Sequence, residues 1–461
     1  MDKQTLSNYG WIIILVLILA VLLALASPFG LFVSDAIKGV TGGFWDVNSA
    51  ALNVAGIDAG DVGFPAECGI KGHYQGDGKE HEVAVTECNS GHTYTCECDC
   101  WVVPDGGKYY VGVTSTTVGD YTGATKVYNA GEKLPCGYVP VDGDTFVLGD
   151  YEYRYGATPN VSGAIYSWLN DSEQDGWGVR VLDRTKSTYG EILPSISNVP
   201  ITSLNNTFCL CSDLTSSPII PDSVTEMNNT FQYCHKLTIA PKIPSGVTDM
   251  YMSFESCYKL TTPPEISKET NLISMEYAFS NCISLTTAPI IPDSVTNMRY
   301  TFFKCKSLIT ASAIPKNVTD MYKAFSDCKS LTIPPDMSNA TSVTNMESTF
   351  SDCTSLATAP IIPSSVTNLS YTFSRCSSLT TVQTIPSNVT KMKYTFQNCI
   401  SLTGGIEIST NISYDYDGCF NSVDFTSQNL TFTGESSTLD RIGATGKNYC
   451  STCNGKCLNN H

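Results

Sequence analysis

The sequence predicts a mostly β solenoid of nine coils, 23–25 residues each, behind a small cysteine-rich β domain and an N-terminal membrane-spanning helix. Three observations predict it. Nine phenylalanines, from Phe208 to Phe396, recur at spacings of 23, 23, 25, 23, 23, 25, 23 and 23 residues, and each is followed three residues later by a cysteine. A leucine stands six residues after every one of these phenylalanines, from Leu214 to Leu402. A fixed period in this range is the mark of a solenoid, whose units bury their apolar faces only by stacking on neighbours. Finally, residues 11–33 form a 23-residue stretch without charge, long enough to cross a hydrocarbon core of about 30 Å.

In chain order, residues 1–10 are a short tail and 11–33 the anchor. Ala24-Leu25-Ala26 also fits a small-x-small cleavage site, so the alternative is a chain secreted after cleavage near Ala26. The leading segment carries only Lys3, opposed by Asp2, which favours an uncleaved anchor. This charge bias is too small to orient it, and the cysteine-rich bulk argues for a single-pass protein with its C-terminal part outside. A pilin-type helix behind Gly10 needs an acidic residue where Leu15 stands, so that reading fails. Residues 34–63 are a linker.

Residues 64–138 read as a cysteine-rich β module. Cys68, Cys88, Cys96, Cys98, Cys100 and Cys136 fall here with His73, His81 and His92. Glu82–Thr86, Tyr94–Val103 and Lys108–Thr116 read as strands between glycine-rich turns. On a strand Cys96, Cys98 and Cys100 share a face, which disfavours pairing among themselves. An external location favours a disulfide framework, and the alternative is zinc, although C-x-C-x-C is not a zinc-ribbon spacing. Residues 139–198 lead into the array. Within them, Asp171–Gly176 resembles the start of a calcium loop, but Leu182 stands where the bidentate Glu belongs, and no metal is assigned.

Residues 199–405 are the array. Besides Phe, Cys and Leu it repeats a valine-type residue (Val224, Val247, Val295) and, three later, methionine (Met227, Met250, Met298), with Leu369 in one methionine place. These columns read as core and not as metal ligands, and Cys234 to Cys376 are expected to be free thiols. The two 25-residue units contain Pro263-Pro264 and Pro334-Pro335 and give a super-period of 71 residues. Residues 406–461 form a cap with a cysteine-rich tail, in which Cys419, Cys450, Cys453 and Cys457 are disulfide candidates.

The unit C-x-S-L-T-T-A-P-x-I-P-x-S-V-T-x-M-x-Y-T-F, at Cys282–Phe302 and, with two changes (Ala357 and Leu369), Cys353–Phe373, resembles the BspA-like leucine-rich repeat of bacterial surface proteins. Trp177–Gly190 resembles the segment that precedes such arrays, and Leu402–Thr438 the closing cap. The resemblance implies a curved right-handed solenoid with one short strand per coil, on a secreted or surface-anchored protein. It also implies attachment to host or neighbouring cells, and it brings no catalytic residues.

Composition narrows the function further. With 27 basic and 44 acidic residues the net charge is −17, which repels phosphate backbones and argues against nucleic acid. There is no nucleophile–base signature, phosphate-binding glycine loop or H-E-x-x-H, so neither an enzyme nor a cofactor is expected. Tyr251, Tyr277, Tyr300, Tyr322, Tyr371 and Tyr394 follow the core methionine position by one or two residues. Tyrosine supplies contact area at low entropy cost, so this ladder is the candidate contact surface. The threonine-rich strand faces (Thr286-Thr287-Ala288, Thr332-Ile333, Thr380-Thr381) read as small and monotonous. The expectation is adhesion, or binding of a protein or glycan on a host or neighbouring cell. The alternative is a structural spacer or filament subunit with no ligand of its own.

Overall fold

The computed structural model describes residues 100–117, 119–135, 138–160, 167–170, 176–408, 417–423 and 431–434. The predicted anchor at 11–33, most of the acidic turn before Gly176, and Cys68, Cys88, Cys96, Cys98, Cys136, Cys450, Cys453 and Cys457 lie outside these residues. Among the described residues no helix is long and apolar enough to cross a membrane. The sulfur of Cys100 is in a disulfide.

Five strands make one antiparallel sheet: β1 (Lys108–Val111), β2 (Lys126–Asn129), β3 (Thr145–Leu148), β4 (Tyr151–Tyr155) and β7 (Trp177–Val181), ordered β2-β1-β3-β4-β7. A hairpin of β5 (Ala157–Asn160) and β6 (Ser167–Asn170) follows β4. The sheet crosses the predicted boundary between residues 138 and 139, because β1 pairs with β3 across it. The predicted strand at Lys108–Thr116 stops at Val111, where Gly112 turns at φ 66° and donates its N–H to Asp144 Oδ1 at 2.8 Å.

Strands β4 and β7 are buried on both faces, and both faces have partners. One carries Tyr151, Tyr153, Trp177, Val179 and Val181 into the same core as the repeats. Tyr151 meets Phe208 edge-on at 6.2 Å, and Thr207 Oγ1 donates to the Val179 carbonyl at 2.8 Å. The sheet therefore covers the first phenylalanine, which an open solenoid end would leave in water. On the other face Glu152 and Arg180 form a buried ion pair at 2.7 Å, and Trp168 Nε1 from β6 donates to the same carboxylate oxygen at 2.7 Å. A buried pair is tolerated when its remaining lone pairs are satisfied in this way. Two short strands, β8 (Ser195–Ile196) and β9 (Val199–Pro200), lead to the first repeat.

In the array every predicted Phe, Cys and Leu column residue is fully buried, as are the valines and methionines. The phenylalanine rings stack face to face from Phe208 to Phe396, with centroids 5.2–5.8 Å apart. A tenth ring follows: Phe420 stacks on Phe396 at 5.2 Å, with Val423 where the cysteine would be. Cys419, predicted to be bridged, is a buried free thiol. It directly precedes Phe420, and its carbonyl accepts the Phe396 N–H at 2.8 Å, so it belongs to this tenth rung. Before it, β10 (Gly405–Ile408) in the ninth repeat pairs in parallel with β11 (Thr431–Gly434).

The repeats do not contain the single short strand implied by the resemblance. They carry two columns of single-residue parallel bridges instead. One lies five residues before each phenylalanine and runs unbroken from Ser203 to Lys391. The other lies eight residues after it, and it is interrupted between Thr262 and Thr287 and between Ile333 and Thr358. The interruptions fall at the 25-residue units. In the seventh repeat the ninth residue after Phe, Ala359, donates its N–H to Thr381 in the next repeat at 3.2 Å. In the long units that residue is Pro263 or Pro334, which has no N–H to give. The 71-residue period thus divides this column into blocks of three.

Around each phenylalanine the backbone alternates in hand. The residues two before and two after it have positive φ in all nine repeats, for example Tyr300 at 53° and Lys304 at 61° about Phe302. This turns alternate N–H groups toward the next repeat. Met298, Tyr300, Phe302 and Lys304 donate to Asp320, Tyr322, Ala324 and Ser326 carbonyls at 2.8–3.0 Å. The cysteine has its own bond here. Cys328 Sγ donates to the Phe302 carbonyl at 3.1 Å, and the same bond recurs in each repeat from Cys234 to Cys399. A thiol fits because it is a small hydrophobe that still offers a weak donor.

Candidate interaction surface

The six tyrosines belong to two adjacent columns. Tyr277, Tyr300, Tyr371 and Tyr394 occupy the left-handed position two residues before Phe, at φ 51–57°. Tyr251 and Tyr322 precede Phe by three residues. All six are half-buried. The structure brings four of them together. Tyr277 and Tyr300 stack at 4.3 Å and 9°, Tyr251 meets Tyr277 edge-on at 6.2 Å, and Tyr322 meets Tyr300 edge-on at 5.1 Å. Tyr371 and Tyr394 form a separate tilted pair at 5.2 Å. The seventh repeat places Glu347 and Ser348 in the two columns and so divides the predicted ladder.

Three residues that the sequence reading passed over complete the cluster. Phe303 meets Tyr300 edge-on at 5.5 Å. Lys323 Nζ lies 5.5 Å from the Tyr300 ring and 5.2 Å from that of Tyr322. The Arg299 guanidinium lies 4.9 Å over Tyr322, pairs with Asp320 at 2.9 Å and reaches Glu276 at 3.4 Å. Cations over ring faces are favourable by about 0.5–1 kcal/mol each at exposed sites. The available signal was the register: Arg and Lys stand directly beside tyrosine at Arg299-Tyr300 and Tyr322-Lys323. Burial, then the neighbouring Tyr300, pushes the Tyr277 phenol up to about 12. Burial, then Glu276, likewise raises Tyr251. These hydroxyls are therefore neutral and able to donate at physiological pH.

Residues 201–332 match the BspA type leucine rich repeat region, in six copies. These residues are a BspA-type leucine-rich repeat region. Residues 290–379 and 319–432 also match a family described as a Mycoplasma protein of unknown function. Comparison with curated proteins gives no match. Among solved structures, the chain is similar to a leucine rich repeat protein of T. pallidum, with 22% identity and a TM-score of 0.34 over 40% of this chain and 84% of that one. A leucine rich cell surface protein of Faecalibacterium prausnitzii is 20% identical, with a TM-score of 0.23 over 59% and 96%. The pneumococcal vaccine antigen PcpA is 14% identical, with a TM-score of 0.26 over 66% and 96%.

The other predicted sites fare differently. Among the described residues no group of three or more His, Cys, Asp or Glu is placed to hold a metal ion. The faces read as small and monotonous are not uniformly so, since Ile239 and Ile333 are exposed among their threonines.

Proposed function

We propose that this BspA-type array belongs to a membrane-anchored protein displayed outside the cell, without catalytic activity, that binds a protein on a host or neighbouring cell through the tyrosine cluster of the third to sixth repeats. The observation that carries the reading is the cluster itself: four tyrosines and a phenylalanine in mutual contact on an accessible face, bordered by Arg299 and Lys323. Aromatic and arginine side chains of this kind dominate the energetics of protein interfaces. The resemblance to attachment proteins points the same way.

A protein ligand fits better than a glycan. Sugars stack their C–H faces on open aromatic faces. Here Tyr277 and Tyr300 cover each other, and Arg299 lies over Tyr322. Ring edges and neutral hydroxyls remain, and these suit the mixed polar and apolar contacts of a protein surface. Probing protein and glycan arrays with the chain tests this directly. Specific protein hits, competed by nothing in the glycan set, are expected. Glycan hits alone would overturn the choice of ligand class.

A further inference from the structure

A second exposed face runs along the array in another register and does not involve the tyrosines. The residue eleven places after Phe is exposed in every repeat, and the first seven read Ile219, Lys242, Glu265, Ile290, Ala313, Asp336 and Ile361. The isoleucines recur at every third rung and are 82%, 47% and 52% exposed. In the column eight places after Phe, Ile239 and Ile333 are 61% and 59% exposed. A single bare isoleucine is ordinary, but five in two neighbouring columns are a patch that needs a cover.

We propose that the cover is a second copy of this chain, laid antiparallel across a two-fold axis at Ile290. The order of residues carries the choice of partner. Reversing the array about the fourth repeat places Ile290 on its own mate and Ile219 on Ile361. The same operation sets Lys242 against Asp336, twice per dimer, and leaves Glu265 facing Ala313. In the other column it sets Ile239 against Ile333 and Thr287 against itself. Both columns are thus self-complementary about one centre, with apolar on apolar and opposite charges paired, as an isologous interface requires. The chain enters a turn at Asp293-Ser294, three residues past Ile290. Seven rungs at about 4.8 Å, by about 13 Å of extended chain, give a footprint of roughly 30 by 13 Å. That is small for a specific interface, so dissociation in the range of tens of micromolar is expected.

Sedimentation velocity of the full chain, from about 1 to 200 µM in a neutrally buoyant detergent, is the test. A concentration-dependent dimer is expected. Ile290→Asp should abolish it, because two carboxylates meet on the axis. Lys242→Asp and Asp336→Lys should each weaken it roughly tenfold, and the two together should restore it to within about threefold, since pairing is regained. All three positions are exposed, so each variant should melt as the parent does. A monomer at every concentration, a dimer indifferent to Ile290→Asp, or a double variant no better than the singles would overturn the proposal.

Discussion

Truncating Phe302 removes a ring from the middle of the stack and is the sharpest probe of what holds the array together. Its side chain is fully buried, and its ring lies 5.6 Å from that of Phe279 and 5.3 Å from that of Phe325. Phe→Ala changes in a core cost about 3–5 kcal/mol, and stacked aromatic neighbours add about 0.5–1.5 kcal/mol beyond area. Losing two stacking partners at once puts Phe302→Ala at the upper end, about 5 kcal/mol. In a one-dimensional array the loss falls on the interfaces on either side of the fifth repeat, so cooperativity should break there. Trp177 lies in the sheet that covers Phe208 and Trp168 in the hairpin behind it, both at the far end from the later repeats. In urea, circular dichroism should then show an early transition of the C-terminal repeats, ahead of the tryptophan fluorescence change. Coincident transitions, or a loss of only a few tenths of a kcal/mol, would refute the stacked-ring account.

Phe420→Ala removes a buried ring stacked on Phe396 at 5.2 Å and should cost about 3 kcal/mol; no effect would remove the tenth rung. At Arg375, exposed and at φ 60°, Gly should be more stable than Ala by about 1 kcal/mol, the reverse of the usual order, as thermal melts of the two variants would show. Alkylation of the denatured, unreduced chain should label the eleven free cysteines from Cys209 to Cys419 and spare Cys100. Burial pushes these thiols up, to about 11 at Cys211 and about 12 at Cys209 and Cys399. The folded state then keeps protons that the unfolded chain releases near pH 9, so stability is intact below that value and falls as pH rises above it. Titration should show steep unfolding before about pH 11, with several protons released together; native circular dichroism beyond that would contradict it.

The core was legible because a period exposes it. Phe, Cys, Leu, Val and Met recur in register, and stacking equivalent residues needs no further information. The tenth rung was hidden by two substitutions and a changed spacing: Val423 replaces the cysteine, Gly418 takes the tyrosine place, and the spacing from Phe396 to Phe420 is 24. That glycine has a reason, since at φ 61° a Cβ there would lie 2.3 Å from the Tyr394 ring. The alternating backbone hand was not legible, because the left-handed places hold Tyr, Asn, Lys, Asp, Ser, Arg, Leu and Met rather than glycine. Their cost is offset by hydrogen bonds to the next repeat, which no local pattern reveals. The tyrosines were found as residues but not as a cluster. Whether two rings stack or face apart depends on a one-residue offset, Tyr251 and Tyr322 against Tyr277 and Tyr300, and on the interruption at Glu347-Ser348.

The most direct test of the central claim is adhesion of beads coated with the chain to target cells, comparing Tyr277→Ser/Tyr300→Ser/Tyr322→Ser with Tyr371→Ser/Tyr394→Ser. Each variant should first be shown by melting curve to be folded. Central interface tyrosines typically cost 2 kcal/mol or more each, so the triple variant should weaken binding about a thousandfold or more and abolish adhesion. The double variant, outside the cluster, should retain most of it. Undiminished adhesion by a fully folded triple variant would contradict the account and leave the array a spacer.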